Sequence, residues 1–181
     1  MKMFNTERLK NEIINHNGLA RANRFRVLLP SIAGVASENL AVLCKSVDLP
    51  GQQLLTHDRR IASSFQKVTY GYGSDDVNMT FLLTNDYYVK NYFTEWQNLS
   101  IVRTETSDFH YPRYKSEYAK EVKIQQLDLD GDLIYECVLV GAFPTTVEAI
   151  NLGDDNENSP ILLRIQLSYT RWYDKSVLSN T

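Results

Sequence analysis

The spacing of apolar and polar residues changes several times along the 181-residue chain. Over residues 4–17 the apolar positions Leu9, Ile13 and Ile14 recur at helical spacing; Asn5 or Thr6 stands where a cap belongs, and Gly18 follows as a stop. So thin a stripe makes a marginal helix by itself, and the segment 1–20 reads as an arm that orders against something else. From Arg24 the period becomes two. Phe25, Val27 and Leu29 alternate with Arg24, Arg26 and Leu28 until Pro30 ends the run. A second strand is predicted over residues 40–47, with Leu40, Val42 and Cys44 on one face and Leu49, Pro50 and Gly51 as its break. Residues 52–73 hold two β-rich stretches around a polar middle and lack a core face, which predicts an extended, exposed hairpin arm.

Residues 77–84 alternate cleanly, with Val77, Met79, Phe81 and Leu83 on one face. Asn85 or Asp86 then caps a helix over about 86–99. Its stripe of Tyr88, Val89, Tyr92, Phe93, Trp96 and Leu99 is wide enough for a core contact, and Lys90, Asn91, Glu95 and Gln97 fall outside it. Residues 101–120 follow neither period and read as a long loop, of the kind that usually touches something. Strands follow over 121–127, 133–140 and 161–173, with a polar, acid-rich connection between the last two. Six to eight strands joined by short turns imply antiparallel pairing. The expected fold is mainly β, a small antiparallel barrel or sandwich of two packed sheets with one flanking helix, in a single domain over 1–181.

Residues 126–136, QLDLDGDLIYE, place Asp128, Asp130 and Asp132 at alternate positions around Gly131. A helix-flanked calcium loop starting at Asp128 needs glycine at its sixth position and a bidentate acid at its twelfth; Leu133 and Leu139 stand there, and the flanks are β-patterned. A hairpin needs only Asp-Gly between alternating apolar runs, which is present. The three aspartates are then solvated turn residues. His16, His57 and His110 stand alone, with no second ligand at metal spacing. No nucleophile elbow, zinc-protease helix or phosphate loop occurs, and the glycines of residues 70–73, YGYG, precede a strand rather than a helix. The expectation is no enzyme, with no catalytic, metal or cofactor site.

Nineteen basic against 22 acidic residues leave a formal charge of −3, without the basic excess that gripping phosphates requires. Cys44 and Cys137 each lie in an apolar segment, as buried thiols of a reducing compartment do. The N-terminus is charged where a signal peptide would be apolar, and no apolar run approaches a membrane span, so a soluble protein without a membrane partner is expected. A β-rich chain with exposed arms has strand edges to use, and assembly is the use they suggest. An enzyme or a saccharide-binding module built on the aromatic residues is the competing class.

Taken in order, GLARANRFRVLLP, LAVLCKSVDLPG, an arm ending in VTYGYG, a strand feeding the Trp96 helix, GAFPTTVEAINLG and the final ILLRIQLSYTRWY resemble the tail tube proteins of contractile-tailed, T4-like bacteriophages, over about residues 18–173. The N-terminal segment and the 101–120 loop are longer than in that family. The resemblance implies two packed antiparallel sheets with a flanking helix, six copies in a ring, and rings stacked into a hollow virion tube assembled in the host cytoplasm. It implies a sheath outside, a baseplate initiator and a terminator at the ends, and DNA passing through the lumen without specific binding. It also implies that the 52–73 arm touches neighbouring subunits, making His57, Asp58, Arg59, Arg60, Tyr70 and Tyr72 contact candidates. Asp128, Asp130 and Asp132 would then lie near a rim, and the outward face of the helix toward the sheath. A tube-initiator or baseplate hub ring of the same fold, or the tube of a related contractile injection system, is the alternative.

Overall fold

The computed structural model describes residues 6–16, 18–32, 38–61, 64–103, 110–153 and 160–176. In chain order its elements are α1 (Thr6–Asn15), β1 (Phe25–Leu28), α2 (Glu38–Leu43), β2 (Cys44–Val47), β3 (Gln53–Ile61), β4 (Ser64–Gly73), β5 (Val77–Leu82), α3 (Tyr88–Asn98), β6 (Ile101–Arg103), β7 (His110–Pro112), α4 (Lys115–Tyr118), β8 (Lys120–Leu127), β9 (Leu133–Val147), β10 (Leu162–Ser168) and β11 (Arg171–Ser176).

Two antiparallel sheets share the 15-residue strand β9. Its first half lies between β8 and β11, and β1 pairs with the far side of β8. Its second half pairs with β10, which continues through β5 to β2. The crossing from one sheet to the other occurs at Gly141, whose φ of 68° lies in the left-handed region that glycine adopts without cost from a Cβ. There a Cβ would also stand 2.6 Å from Thr170 Oγ1.

Alternation puts Val77, Met79 and Phe81 of β5 and Leu163, Ile165 and Leu167 of β10 inward, opposite Val122 and Ile124 of β8 and Cys137 and Leu139 of β9. All are buried. The α3 stripe joins this core through Val89, Tyr92, Phe93 and Trp96, while Tyr88 is half-buried at its margin. Phe93 meets Phe81 at a centroid distance of 5.2 Å. Two polar handles are satisfied as the aromatics are buried: Trp96 Nε1 donates to Tyr118 O at 2.8 Å, and the Tyr92 hydroxyl donates to Pro30 O.

Several elements differ from the sequence expectation. Residues 40–43 are helical rather than extended. Leu40 and Leu43, three apart, turn inward, whereas Val42, which a strand would bury beside Leu40, is 83% exposed. The strand expected to end at 140 runs to Val147, and the one expected over 161–173 divides into β10 and β11, which pair with opposite halves of β9. Helix α3 begins after Tyr87, a left-handed residue without a side-chain cap; Asp86 Oδ1 instead accepts the Tyr88 N–H and the Thr84 hydroxyl. The 101–120 segment contains the β6–β7 pair and the single turn α4, and residues 104–109 lie outside the described ones, as do 154–159 of the acidic connection and 1–5 of the first arm. The sheets form an open sandwich: among the described strands β1 and β2 end them without pairing to each other, so no barrel closes.

Candidate functional site: assembly surfaces

The β3–β4 hairpin is a two-stranded sheet of its own. A hairpin standing alone is marginal in water. Apart from half-buried Val68, Gly71 and Gly73, its described side chains are exposed, including Leu54, Phe65, Tyr70 and Tyr72. Its composition divides along its length. The base, Gln53–Thr56 with 69–73, carries no charge; the distal half carries Asp58 opposite Lys67 together with Arg59 and Arg60. At the junction the His57 ring lies 5.7 Å from that of Tyr70. Gly71 and Gly73 serve as a floor for Leu55, whose methyl carbons would stand 3.8 and 3.9 Å from a Cβ at the two glycines.

Asp128, Asp130 and Asp132 sit in the turn joining β8 to β9. The Asp128 N–H donates to Asp132 O at 2.8 Å, the Gly131 N–H to Asp128 O at 3.2 Å, and Gly131 has a φ of 90°. The Asp128 carboxylate accepts the Leu129 N–H at 2.6 Å. This is a chain reversal in which the Asp128 carboxylate serves the backbone of the turn. Among the described residues no three His, Cys, Asp or Glu side chains converge as a metal requires.

On α3, Asn91 and Glu95 face solvent, and Lys90 lies 5.9 Å from the centre of the Tyr87 ring. Gln97 does not face outward. Its amide donates toward Thr145 O at 3.3 Å and Pro144 O at 3.5 Å, so it covers the unpaired side of the second half of β9.

Two surfaces lie outside the sequence-based candidates. The first is the outer face of the second sheet. Thr146, Gln166 and Asn78 stand in register across β9, β10 and β5; Arg164 and Thr80 form the next row, and Ser46 of β2 extends it. Asp48 accepts from the Asn78 side chain at 3.3 Å, and Glu148 lies 3.8 Å from Arg164. Thr146, Asn78, Arg164 and Ser46 of these rows are exposed, and α3 packs on β9 and β6. The polar members of residues 77–84 and 161–173 carried the signal for this face, but register was needed to bring them together.

The second is an open cleft of about 1040 Å³ between the β1 and β2 edges. Its apolar lining is Phe25, Cys44, Val47, Leu49 and Ile124, and α2 bridges β1 and β2 at one end of the seam. Burial raises the Cys44 thiol to about 12, against a smaller lowering by hydrogen bonding with the Ser46 backbone. Burial and then the Asp174 charge raise Cys137 to about 11. Both thiols are therefore protonated and poorly nucleophilic near neutrality.

The model of the phage tail tube protein family matches residues 20–175. The chain belongs to that family. Tail tube proteins are structural subunits, which gives the exposed arm and the free strand edges a common setting. The fold of this tail tube protein is similar to that of the anti-feeding prophage tube-terminating cap, at TM-score 0.65 and 17% identity over 87% of this chain and 91% of that one. It is similar to a chain of the sheath–tube complex of an extracellular contractile injection system in its extended state, at 0.63 and 17% over 96% and 99%. It also resembles a chain of the anti-feeding prophage baseplate, at 0.60 and 13% over 88% and 97%. No curated protein sequence matches it.

Proposed function

We propose that this tail tube protein assembles as six-membered rings stacked into a hollow tube, with the outer face of the second sheet lining the lumen, a sheath around it, and DNA passing through. Initiator and terminator rings bound the tube, which is built in the host cytoplasm and carried in the virion tail. The observation that carries this reading is the uncovered polar face of β9, β10, β5 and β2. The charged residues lining the depression at its centre, Asp48, Glu148 and Arg164, sum to −1. A wall with that charge offers phosphates no basic stripe, and a polyanion slides past instead of binding. Ring contacts formed through strand edges would also satisfy backbone groups that a lone copy leaves to water. The whole of 1–181 acts as one unit, with α1, the β3–β4 arm and the 101–120 segment as its reach toward other chains.

Thr146, exposed in that face, provides the test. Thr146→Cys in assembled tubes should react with a small maleimide and be shielded from a bulky polymer-linked one, whereas Glu95→Cys on exposed α3 reacts with both. Equal labelling of Thr146→Cys by the bulky reagent in intact tubes rules out the luminal placement. A single ring at one end of a tube is the second reading, favoured by the likeness to cap and baseplate chains. Under it the protein forms rings that never elongate alone.

A further inference from the structure

The two flanks of the sandwich are unlike. On one, the β1 and β2 edges stand apart over the open cleft, whose apolar floor is Phe25, Cys44, Val47 and Ile124 and whose exposed members include Lys45 and Asp48. On the other, the sheets meet at β9, and residues 110–118 are fastened beside the second half of that strand. The Arg113 N–H donates to Ser100 O at 2.9 Å, Tyr118 O accepts from Trp96 Nε1, and the Tyr118 ring meets Phe143 edge-on at 5.2 Å. This anchoring leaves Tyr111 and Tyr114 at 58% and 81% exposure, with exposed Arg113 between them. An aromatic side chain buries about 150–250 Å², so the exposed parts of these two rings offer roughly 200–350 Å². That is roughly a quarter to a half of the about 800 Å² per partner that a stable contact buries.

We infer that Tyr111 and Tyr114 of one copy seat in the β1/β2 cleft of the next copy around the ring, setting their rings against Phe25, Cys44, Val47 and Ile124. This lateral lock rests on the ring reading, which supplies the neighbour. A closed ring of identical chains is built from heterologous contacts, in which one flank of each copy meets the opposite flank of the next. With the second sheet lining the lumen, its strands run obliquely along the tube axis, and its two edges, β2 and β9, face the neighbouring copies. Ring closure therefore brings the cleft of one copy to the 110–118 segment of the next. Tyrosine suits this seat, because its ring covers an apolar floor while its hydroxyl reaches a polar mouth. Arg113, 3.6 Å from Glu117 in the lone copy, is carried toward the exposed carboxylate of Asp48. The chain's own tyrosines do not serve. β10 and β5 stand between β9 and β2, about 14 Å at ordinary strand spacing, and the segment lies beyond β9.

The test uses full-length chains. Tyr111→Ala with Tyr114→Ala removes two exposed rings and should leave Tm within about 2 °C. It should raise the concentration at which half of the protein sediments as rings by roughly thirty-fold, the cost of one hot-spot residue or more. Tyr111→Phe with Tyr114→Phe should assemble as the unmodified chain does. Placement is read by cross-linking in a Cys44→Ser background. One chain carries Ser116→Cys; the other carries Lys45→Cys and a tag that shifts its mass. Assembled together and treated with a short bismaleimide, they should yield a heterodimer, roughly a hundred-fold above the same mixture dissociated by dilution. Lys115→Cys with Asn23→Cys is the second pair, used if the first impairs folding. Rings that form at the unmodified concentration after both tyrosines become alanine, or rings that give no heterodimer from either pair, overturn the lock and leave the ring reading intact. A chain carrying both Ser116→Cys and Lys45→Cys that cross-links only within itself, among excess unmodified copies, overturns the choice of a second copy. Failure of the unmodified protein to assemble overturns the ring reading and the lock with it.

Discussion

Adding one methyl group at Gly141 tests how the two sheets are held at their crossing. Two costs are separable there. An alanine must adopt a φ of 68°, and its Cβ must find space where Thr170 Oγ1 is 2.6 Å away and Thr170 Cβ is 3.4 Å away. Left-handed backbone at a non-glycine residue costs about 1–3 kcal/mol. The oxygen can be displaced by turning the threonine side chain, at about 0.5–1.5 kcal/mol if it leaves its preferred rotamer. The Thr170 N–H bonds to Val140 O at 3.0 Å, so the backbone cannot withdraw without loosening the β9–β11 pairing. Gly141→Ala should therefore destabilise the unassembled protein by about 2–4 kcal/mol, or roughly 4–16 °C in Tm for a chain of this size. In a double-mutant cycle by urea denaturation, Thr170→Ala should restore about 1 kcal/mol and leave the backbone cost in place. A cost below about 0.5 kcal/mol for Gly141→Ala, within ordinary surface variation, would refute the reasoning, and so would rescue of the entire loss by Thr170→Ala.

Three further outcomes follow from the same geometry. Trp96 is fully buried and donates to Tyr118 O, so Trp96→Ala should cost about 3–5 kcal/mol in chemical denaturation, and Trp96→Phe should cost less while still losing that hydrogen bond. The folded chain keeps the Cys44 proton between its ordinary value of 9.0 and about 12, whereas the unfolded chain releases it. Stability is then complete below pH 9 and falls as pH rises through that window; Cys44→Ala should make the fall shallower in pH-dependent unfolding, and an unchanged slope contradicts the burial argument. Arg59→Glu with Arg60→Glu, on the exposed distal arm, should leave Tm within about 1 °C yet impair assembly measured by sedimentation, since surface charges away from the core contribute little to folding.

Legibility in the sequence followed the physics of each segment. Strands with one dry face and one wet face announce themselves, as in residues 77–82, and so does a helix with a broad aromatic stripe. The hairpin at Asp128–Asp132 was readable because Gly131 and its flanks admit few other conformations. Residues 38–43 misled because a single helical turn and a short strand share the same few apolar positions, and only the 83% exposure of Val42 separates them. β9 was cut short because Gly141 and Pro144 look like an ending, whereas the strand bends at the glycine and carries on into the other sheet. Gln97 looked solvent-facing by spacing, yet a neighbouring sheet edge offered carbonyls to its amide. The polar second-sheet face and the β1/β2 cleft were hidden for a common reason. Each is assembled from residues far apart in the chain, and registers such as Asn78 against Gln166 against Thr146 are tertiary facts.

The central claim is that this chain builds a hollow tube from rings of itself, and electron micrographs of the purified full-length protein alone test it most directly. End-on class averages with six-fold symmetry and an empty centre, together with stacks in side view, are the predicted result. Images and sedimentation that show only monomer across a range of concentration and salt would contradict it.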